Sequence, residues 1–226
     1  MAHQLLFDFV ADARAVLELP DPVVEFGSLQ VEPDQPGDLR SLFEGRDFTG
    51  TDMRPGSGVD RVEDLRGLSL GDGSVGTALC LDTLEHCEDP LQACRELHRV
   101  TAPDGVCIIS SVMLLGIHAY PSDYWRFTPE GLRVLLAPFD ERWAVGFGDP
   151  SAPFFVFGVG SKQRKLDLSL DSFPKLAAAQ QRYERAEGKV RLGPTRLSLR
   201  ELGGTLTREL PRALRQRASA RLRGRG

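Results

Sequence analysis

Residues 75–112 read V-G-T-A-L-C-L-D-T-L-E-H-C-E-D-P-L-Q-A-C-R-E-L-H-R-V-T-A-P-D-G-V-C-I-I-S-S-V, and the order of elements in this stretch sets the class of the fold. Val75 to Leu81 is a short uncharged apolar run, the pattern of an inner strand covered on both faces. Asp89 stands directly before Pro90, an N-cap followed by proline at the first helical position, so a helix is predicted from Pro90 to Val100. A-P-D-G at 102–105 reads as a turn, and Val106 to Val112 is a second apolar strand. Strand, helix and strand in that order favour a parallel sheet with helices packed on it.

Working outward, the same alternation continues on both sides. His3 to Leu19 carries apolar residues at 5, 6, 9, 10, 13, 16 and 17, a helical stripe. Pro22 to Phe26 reads as a short strand ending at Gly27, Leu39 to Phe43 as a short helix, and Phe48 to Thr51 as a strand ending at Asp52. Thr128 is placed to cap a helix that runs through Pro129 and Glu130 to about Leu136. Two aromatic-rich runs, Arg142 to Phe147 and Phe154 to Val159, flank the turn G-D-P-S-A-P and predict an antiparallel hairpin. The expected architecture is α/β: a mostly parallel sheet flanked by helices and closed by a C-terminal antiparallel hairpin.

The chain has 226 residues, 41% of them hydrophobic and 27% charged, ordinary values for a globular protein with its own core. Its net charge of −4 conceals an asymmetry, because residues 191–226 hold ten arginines against Glu201 and Glu209 and so carry +8, leaving −12 on residues 1–190. An acidic body argues against nucleic acid as the main substrate, whereas the Arg-rich tail suits an anionic partner. Organisation is therefore expected as a domain over 1–162, a helical extension over 163–190 and a tail over 191–226. Cys80, Cys87, Cys94 and Cys107 form no C-x-x-C pair and read as buried thiols of a reducing compartment. Asp8, Asp12, Arg14 and Glu18 interrupt the first twenty residues, which therefore read as neither signal peptide nor spanning segment, and a cytoplasmic location is expected.

Residues 118–132, H-A-Y-P-S-D-Y-W-R-F-T-P-E-G-L, pack rings, charges and a turn into the loop after the strand Val106 to Val112. Loops leaving the carboxyl ends of inner strands are where α/β sheets bind ligands. Tyr120, Tyr124, Trp125 and Phe127 are costly to expose without a use, so the loop reads as one wall of a site, with Asp123 and Arg126 as its polar contacts. The alternative is that the rings only pin the loop onto the sheet.

Four segments, V-V-E-F-G-S at 23–28, G-T-D-M-R-P-G-S-G-V-D at 50–60, L-C-L-D-T-L-E-H-C-E-D-P at 79–90 and E-L-H-R-V-T-A-P-D-G at 96–105, together with the loop at 118–132, carry a resemblance. In this order and spacing the chain resembles the class I S-adenosylmethionine-dependent methyltransferases, and among them a small bacterial group with a similar loop. The resemblance covers about residues 20–162. It implies a Rossmann-like sheet, S-adenosyl-L-methionine as cofactor and methyl transfer to a small-molecule or sugar-like acceptor. Glycine at 27 lets backbone approach a nucleotide-like ligand, and Glu25 can anchor the turn or the amino-acid end of the cofactor. Asp52 can accept from both ribose hydroxyls, or can serve as a plain turn residue. The resemblance implies that Asp64 and Leu65 face the adenine edge, with Ser28, Met53 and Leu81 completing the cofactor side.

One departure stands out: family members usually carry G-x-G-x-G in the first loop, and residues 27–37 here read G-S-L-Q-V-E-P-D-Q-P-G. The same loop excludes the G-x-G-x-x-G of a nicotinamide enzyme. It also leaves open a non-catalytic relative that uses the fold as a binding scaffold. Methyl transfer asks the protein mainly to align the acceptor and exclude water. For a hydroxyl acceptor His86, His118 and Asp123 are candidate bases, and Tyr120, Tyr124, Trp125 and Arg126 are candidate acceptor contacts. His98, within the helical stretch, reads as a surface or packing residue. Asp82, Glu85 and His86 resemble a group that holds a divalent ion in ubiquinone-pathway O-methyltransferases, but Glu-His also packs beneath the cofactor in metal-free relatives, and no metal is assigned.

Overall fold

The computed structural model describes residues 2–30, 39–118, 121–185, 189–192 and 195–198. Helix α1 (Ala2–Val16) leads into strand β1 (Val23–Phe26), a 3-10 turn (Leu39–Phe43), β2 (Phe48–Asp52) and the two-residue β3 (Arg61–Val62). Strand β4 (Val75–Cys80), a 3-10 turn (Leu84–His86), helix α2 (Pro90–Val100) and strand β5 (Thr101–Val112) follow. Helix α3 (Pro129–Leu135), the hairpin β6 (Glu141–Asp149) and β7 (Ala152–Ser161), and helix α4 (Pro174–Glu184) complete the body. A separate two-stranded sheet pairs β8 (Lys189–Leu192) with β9 (Thr195–Ser198).

The seven-stranded sheet has the order β3-β2-β1-β4-β5-β7-β6. Strands β3, β2, β1, β4 and β5 pair in parallel, and β7 runs antiparallel to both β5 and β6. All six residues of β4 are buried, as its uncharged composition requires of a strand covered on both faces. On one face α1 and α4 pack Phe9, Val10, Phe173 and Leu176 against Ile108, Phe157 and Val159. On the other, α2 and α3 pack Ala93, Leu97, Leu132 and Leu135 against Ala78, Cys107, Ile109 and Val156. Cys80, Cys94 and Cys107 are buried in this second cluster, and burial pushes the Cys94 thiol up to about 12. The caps expected at Asp89 and Thr128 form: their side chains accept from Gln92 N at 2.9 Å and Gly131 N at 3.0 Å.

Two boundaries differ from the sequence reading. The turn expected at 102–105 is instead the start of β5, whose register with β4 jumps from Val75↔Thr101 to Thr77↔Val106. The extra residues form a bulge, and Gly105 is needed there because a Cβ would stand 2.7 Å from the carbonyl oxygen of Gly76. The second difference lies after residue 162. Phe173 is fully buried 5.1 Å from the Phe9 ring and stacks on Trp143 at 4.8 Å, so α4 closes the same core. Asp12, itself buried, accepts from Lys175 N at 2.7 Å at the start of α4. Of the tail at 191–226, only the residues in the β8 and β9 ladder are described.

Candidate functional site

The chain runs from β1 outward to β3 and then returns to the other side of β1 as β4, and this reversal of strand order opens a crevice at the carboxyl ends of β1 and β4, where open α/β sheets bind ligands. A cavity of about 520 Å³ lies at this place. Glu25, Gly27, Asp52, Met53, Asp64, Leu65 and Leu81 line it, and so do His86, His118 and Tyr124. The structure thus brings most of the sequence-selected residues to one cleft. Ser28, Asp123, Trp125 and Arg126 stand outside its wall, and Tyr120 lies outside the described residues.

Each strand end presents its side chain for a local reason. Asp52 closes β2, and its Oδ1 accepts from Arg54 N at 2.9 Å, a turn that fixes the carboxylate at the cleft with 12% of its side chain exposed. Asp64 follows β3 and grips Arg66 through both oxygens, which holds its carboxyl below the usual carboxylate range. Ser28 turns away: its hydroxyl donates toward Thr51 O and Gly58 O at 3.2 and 2.9 Å, and Gln30 N donates to Ser57 O. The stretch after β1 therefore runs beside residues 57–58. Gly27 has φ +90, and a Cβ there would meet Thr83 Oγ1 at 2.1 Å, so a protein side chain is the neighbour that demands this glycine.

The loop at 121–127 is tied to the turn at 84–88. Tyr124 N and Trp125 N both donate to Glu85 O, at 2.8 and 3.2 Å, and the Trp125 indole N–H donates to Cys87 O at 2.9 Å. Tyr124 OH donates to Glu88 Oε1 at 3.2 Å. Asp123 braces the loop from within, bound by both Arg126 nitrogens and by His118 N at 2.8 Å, and Arg126 holds its carboxyl well below the usual range. Trp125 and Arg126 thus serve as anchors in the described geometry, while Tyr124 and Pro121 face the cleft.

His86 Nδ1 lies 2.6 Å from Ser122 O. A carbonyl only accepts, so Nδ1 carries the hydrogen and Nε2 keeps its lone pair. Burial, first of all, lowers the His86 pKa and favours this neutral form. The His118 ring meets His86 edge-on at 4.8 Å between centroids. Beneath them Glu85 is fully buried; its Oε2 accepts from Ser111 Oγ at 2.7 Å, and burial, followed by the charge of Asp82, raises its pKa. Asp82 accepts from Ser110 Oγ at 2.7 Å. Ser110 and Ser111 were not singled out in the sequence, although two adjacent hydroxyls at the end of an apolar strand are a signal that buried polar partners lie there. Arg54, Arg66 and Glu88 also line the cleft and carried no local pattern.

Residues 45–109 match the family model described as a methyltransferase domain. A structure of a SAM-dependent methyltransferase, possible histamine N-methyltransferase, from Thermotoga maritima is 20% identical, covering 71% of this chain and 91% of that one with a TM-score of 0.51. The YcgJ protein from Bacillus subtilis is 13% identical, covering 72% of this chain and 99% of that one with a TM-score of 0.52. The chain has the Rossmann-like methyltransferase fold. No curated protein matches it by sequence.

Within this methyltransferase fold the donor set can be tested against the expected cofactor. S-adenosylmethionine carries two ribose hydroxyls and positive charge on its sulfonium and amino groups. The cleft offers Glu25, Asp52, Glu63, Asp64 and Asp82 against Arg54 and Arg66, with Leu65, Leu81 and Met53 as apolar surface. Carboxylates exceed guanidiniums, and flat apolar surface lies beside them, so the residues present fit the group. The Gly-rich first loop of the family is absent, and residues 31–38 lie outside the described residues.

Proposed function

We propose that this methyltransferase-fold chain binds S-adenosylmethionine in the cleft at the ends of β1, β2 and β4 and methylates a small-molecule acceptor seated against His86, His118 and Tyr124. The observation that carries the reading is Asp52, held at the end of β2 in an acidic, partly apolar cleft. Asp52 would receive the ribose hydroxyls, Asp64 with Leu65 the adenine edge, and Glu25 the amino-acid end. The bound cofactor supplies an already activated methyl group, so the chain's own residues have to orient the acceptor and exclude water. His86, with a free lone pair on Nε2, is the group suited to take a proton from a hydroxyl acceptor. Trp125, Asp123 and Arg126 hold the acceptor wall in place.

Isothermal titration with S-adenosylmethionine tests this reading. Wild-type protein should bind it, and Asp52→Ala should weaken binding about tenfold or more, since charge-assisted hydrogen bonds are worth roughly 1.5–3 kcal/mol. A wild type that fails to bind at millimolar cofactor favours a scaffold without methyl transfer. Unchanged affinity in the variant removes Asp52 from the site.

A further inference from the structure

We propose that Glu85, His86 and His118 form a binding site for one divalent first-row transition-metal ion. Each residue offers a donor atom, and the three atoms lie within 4.8 Å of one another. Tetrahedral ligands at about 2.0–2.2 Å from a metal stand about 3.4 Å apart, so side-chain shifts of about 1–1.5 Å close the shell.

The surrounding bonds prepare all three groups. His86 Nδ1–H is spent on Ser122 O at 2.6 Å, and His118 Nδ1 faces two acceptors, Gly116 O and an Asp123 oxygen, both at 3.2 Å. Both rings therefore keep the lone pair on Nε2, held by a carbonyl or carboxylate behind the ring in the manner of metal-ligating histidines. Glu85 supplies the second, independent observation. It has no solvent exposure, its Oε2 is taken by Ser111, and its Oε1 has no hydrogen-bond partner among the described residues. A buried carboxylate oxygen left without a donor is costly, and a cation removes that cost.

Charge points the same way. Asp82 stands close to Glu85, and Asp123, gripped by Arg126, stands behind the His118 ring. Two imidazoles and one carboxylate suit zinc, manganese, ferrous iron or cobalt, whereas calcium and magnesium prefer oxygen ligands throughout. The set differs from the Asp82, Glu85 and His86 grouping visible in the sequence, because Asp82 accepts from Ser110 and lies outside the cluster while His118 comes in from the loop after β5. Both histidines also line the cleft, so remaining positions on the ion are open to an acceptor oxygen. With the ion bound the His86 lone pair is occupied, so the ion in place of His86 would acidify an acceptor hydroxyl. That last role rests on the methyl-transfer reading, but binding of the ion does not.

The test uses full-length protein stripped with a chelator and without cofactor, titrated with zinc by calorimetry and with cobalt by visible absorption. One ion per chain is expected, with d–d bands of a nitrogen-ligated cobalt. His118→Ala, a half-exposed position, should weaken zinc binding by at least about tenfold, whereas Asp82→Asn should change it by less than about fivefold. Absence of saturable binding to the wild type, or full affinity in His118→Ala, overturns the site. Cofactor affinity measured in parallel on the stripped protein keeps failure of the metal site separate from failure of the methyltransferase reading.

Discussion

Gly27 stands where β1 ends, at φ +90 with Thr83 Oγ1 2.1 Å from the place of a Cβ. The Thr83 hydroxyl donates to Leu81 O at 2.8 Å and lies 3.2 Å from Phe26 O, so it ties the ends of β1 and β4 together at the cleft floor. Gly27→Ala is therefore hit twice, by an unfavourable backbone conformation and by a clash. It should lower stability by roughly 1–3 kcal/mol, read as a lower urea midpoint at an unchanged slope. A midpoint equal to wild type would mean that Thr83 swings away freely. The sequence reading assigned this glycine to close approach of a ligand, and the need for glycine was legible; that Thr83, distant in sequence, creates the need was not.

At the scale of elements, α2 positions the Asp64 and Leu65 side of the cleft through one face. Glu96 Oε2 accepts from Leu68 N at 2.9 Å and from Arg99 at 2.7 Å, and Arg99 donates to Leu68 O and Leu70 O at 2.9 and 2.8 Å. These bonds clamp the segment between β3 and β4, which carries Asp64 and Leu65. Arg99, first of all, depresses the Glu96 pKa from its ordinary 4.5. A depressed carboxylate stabilises the fold above its unfolded pKa, and the contribution is lost as pH falls through the folded value. Glu96→Gln should thus melt below wild type at pH 7, by about 1 kcal/mol or less for a pair reached by solvent. The difference should shrink progressively below about pH 4.5. Thermal melts across pH 3–7 check this, and a difference that stays constant with pH would show that shape, not charge, sets the clamp.

For the whole molecule, the question is where the fold ends. Phe173, Leu176 and Ala179 complete the cluster around Phe9 and Phe157, and Gln180 exchanges hydrogen bonds of 2.8 and 2.9 Å with the Gly148 backbone. Ending the chain after residue 162 should abolish cooperative melting, and Phe173→Ala alone should cost about 3–5 kcal/mol. A chain ended after residue 190 should melt within a few degrees of the full chain, because among the described residues β8 pairs only with β9, in a separate sheet. Differential scanning calorimetry of the two truncations distinguishes these outcomes. Cooperative unfolding of the 1–162 chain would detach α4 from the folding unit.

Local chemistry was legible without a structure. The apolar runs of β4 and β5, the N-caps at Asp89 and Thr128, and the β6–β7 hairpin follow from periodicity and capping, which depend on residues only a few positions apart. Asp52 and His86 were selected because each follows a recognisable strand, and Asp64 because the family resemblance implies it. What only the tertiary structure decided depends on contacts between distant segments. The bulge at 102–105 forms because Gly76 and Gly105 meet across the sheet, and α4 joins the core because its apolar face finds α1 and β6. His118 stands beside Glu85 and His86 because five hydrogen bonds lay the 121–127 loop onto the 84–88 turn. No period or motif encodes that meeting, since burial energy depends on which surfaces come together in space and not on their separation along the chain.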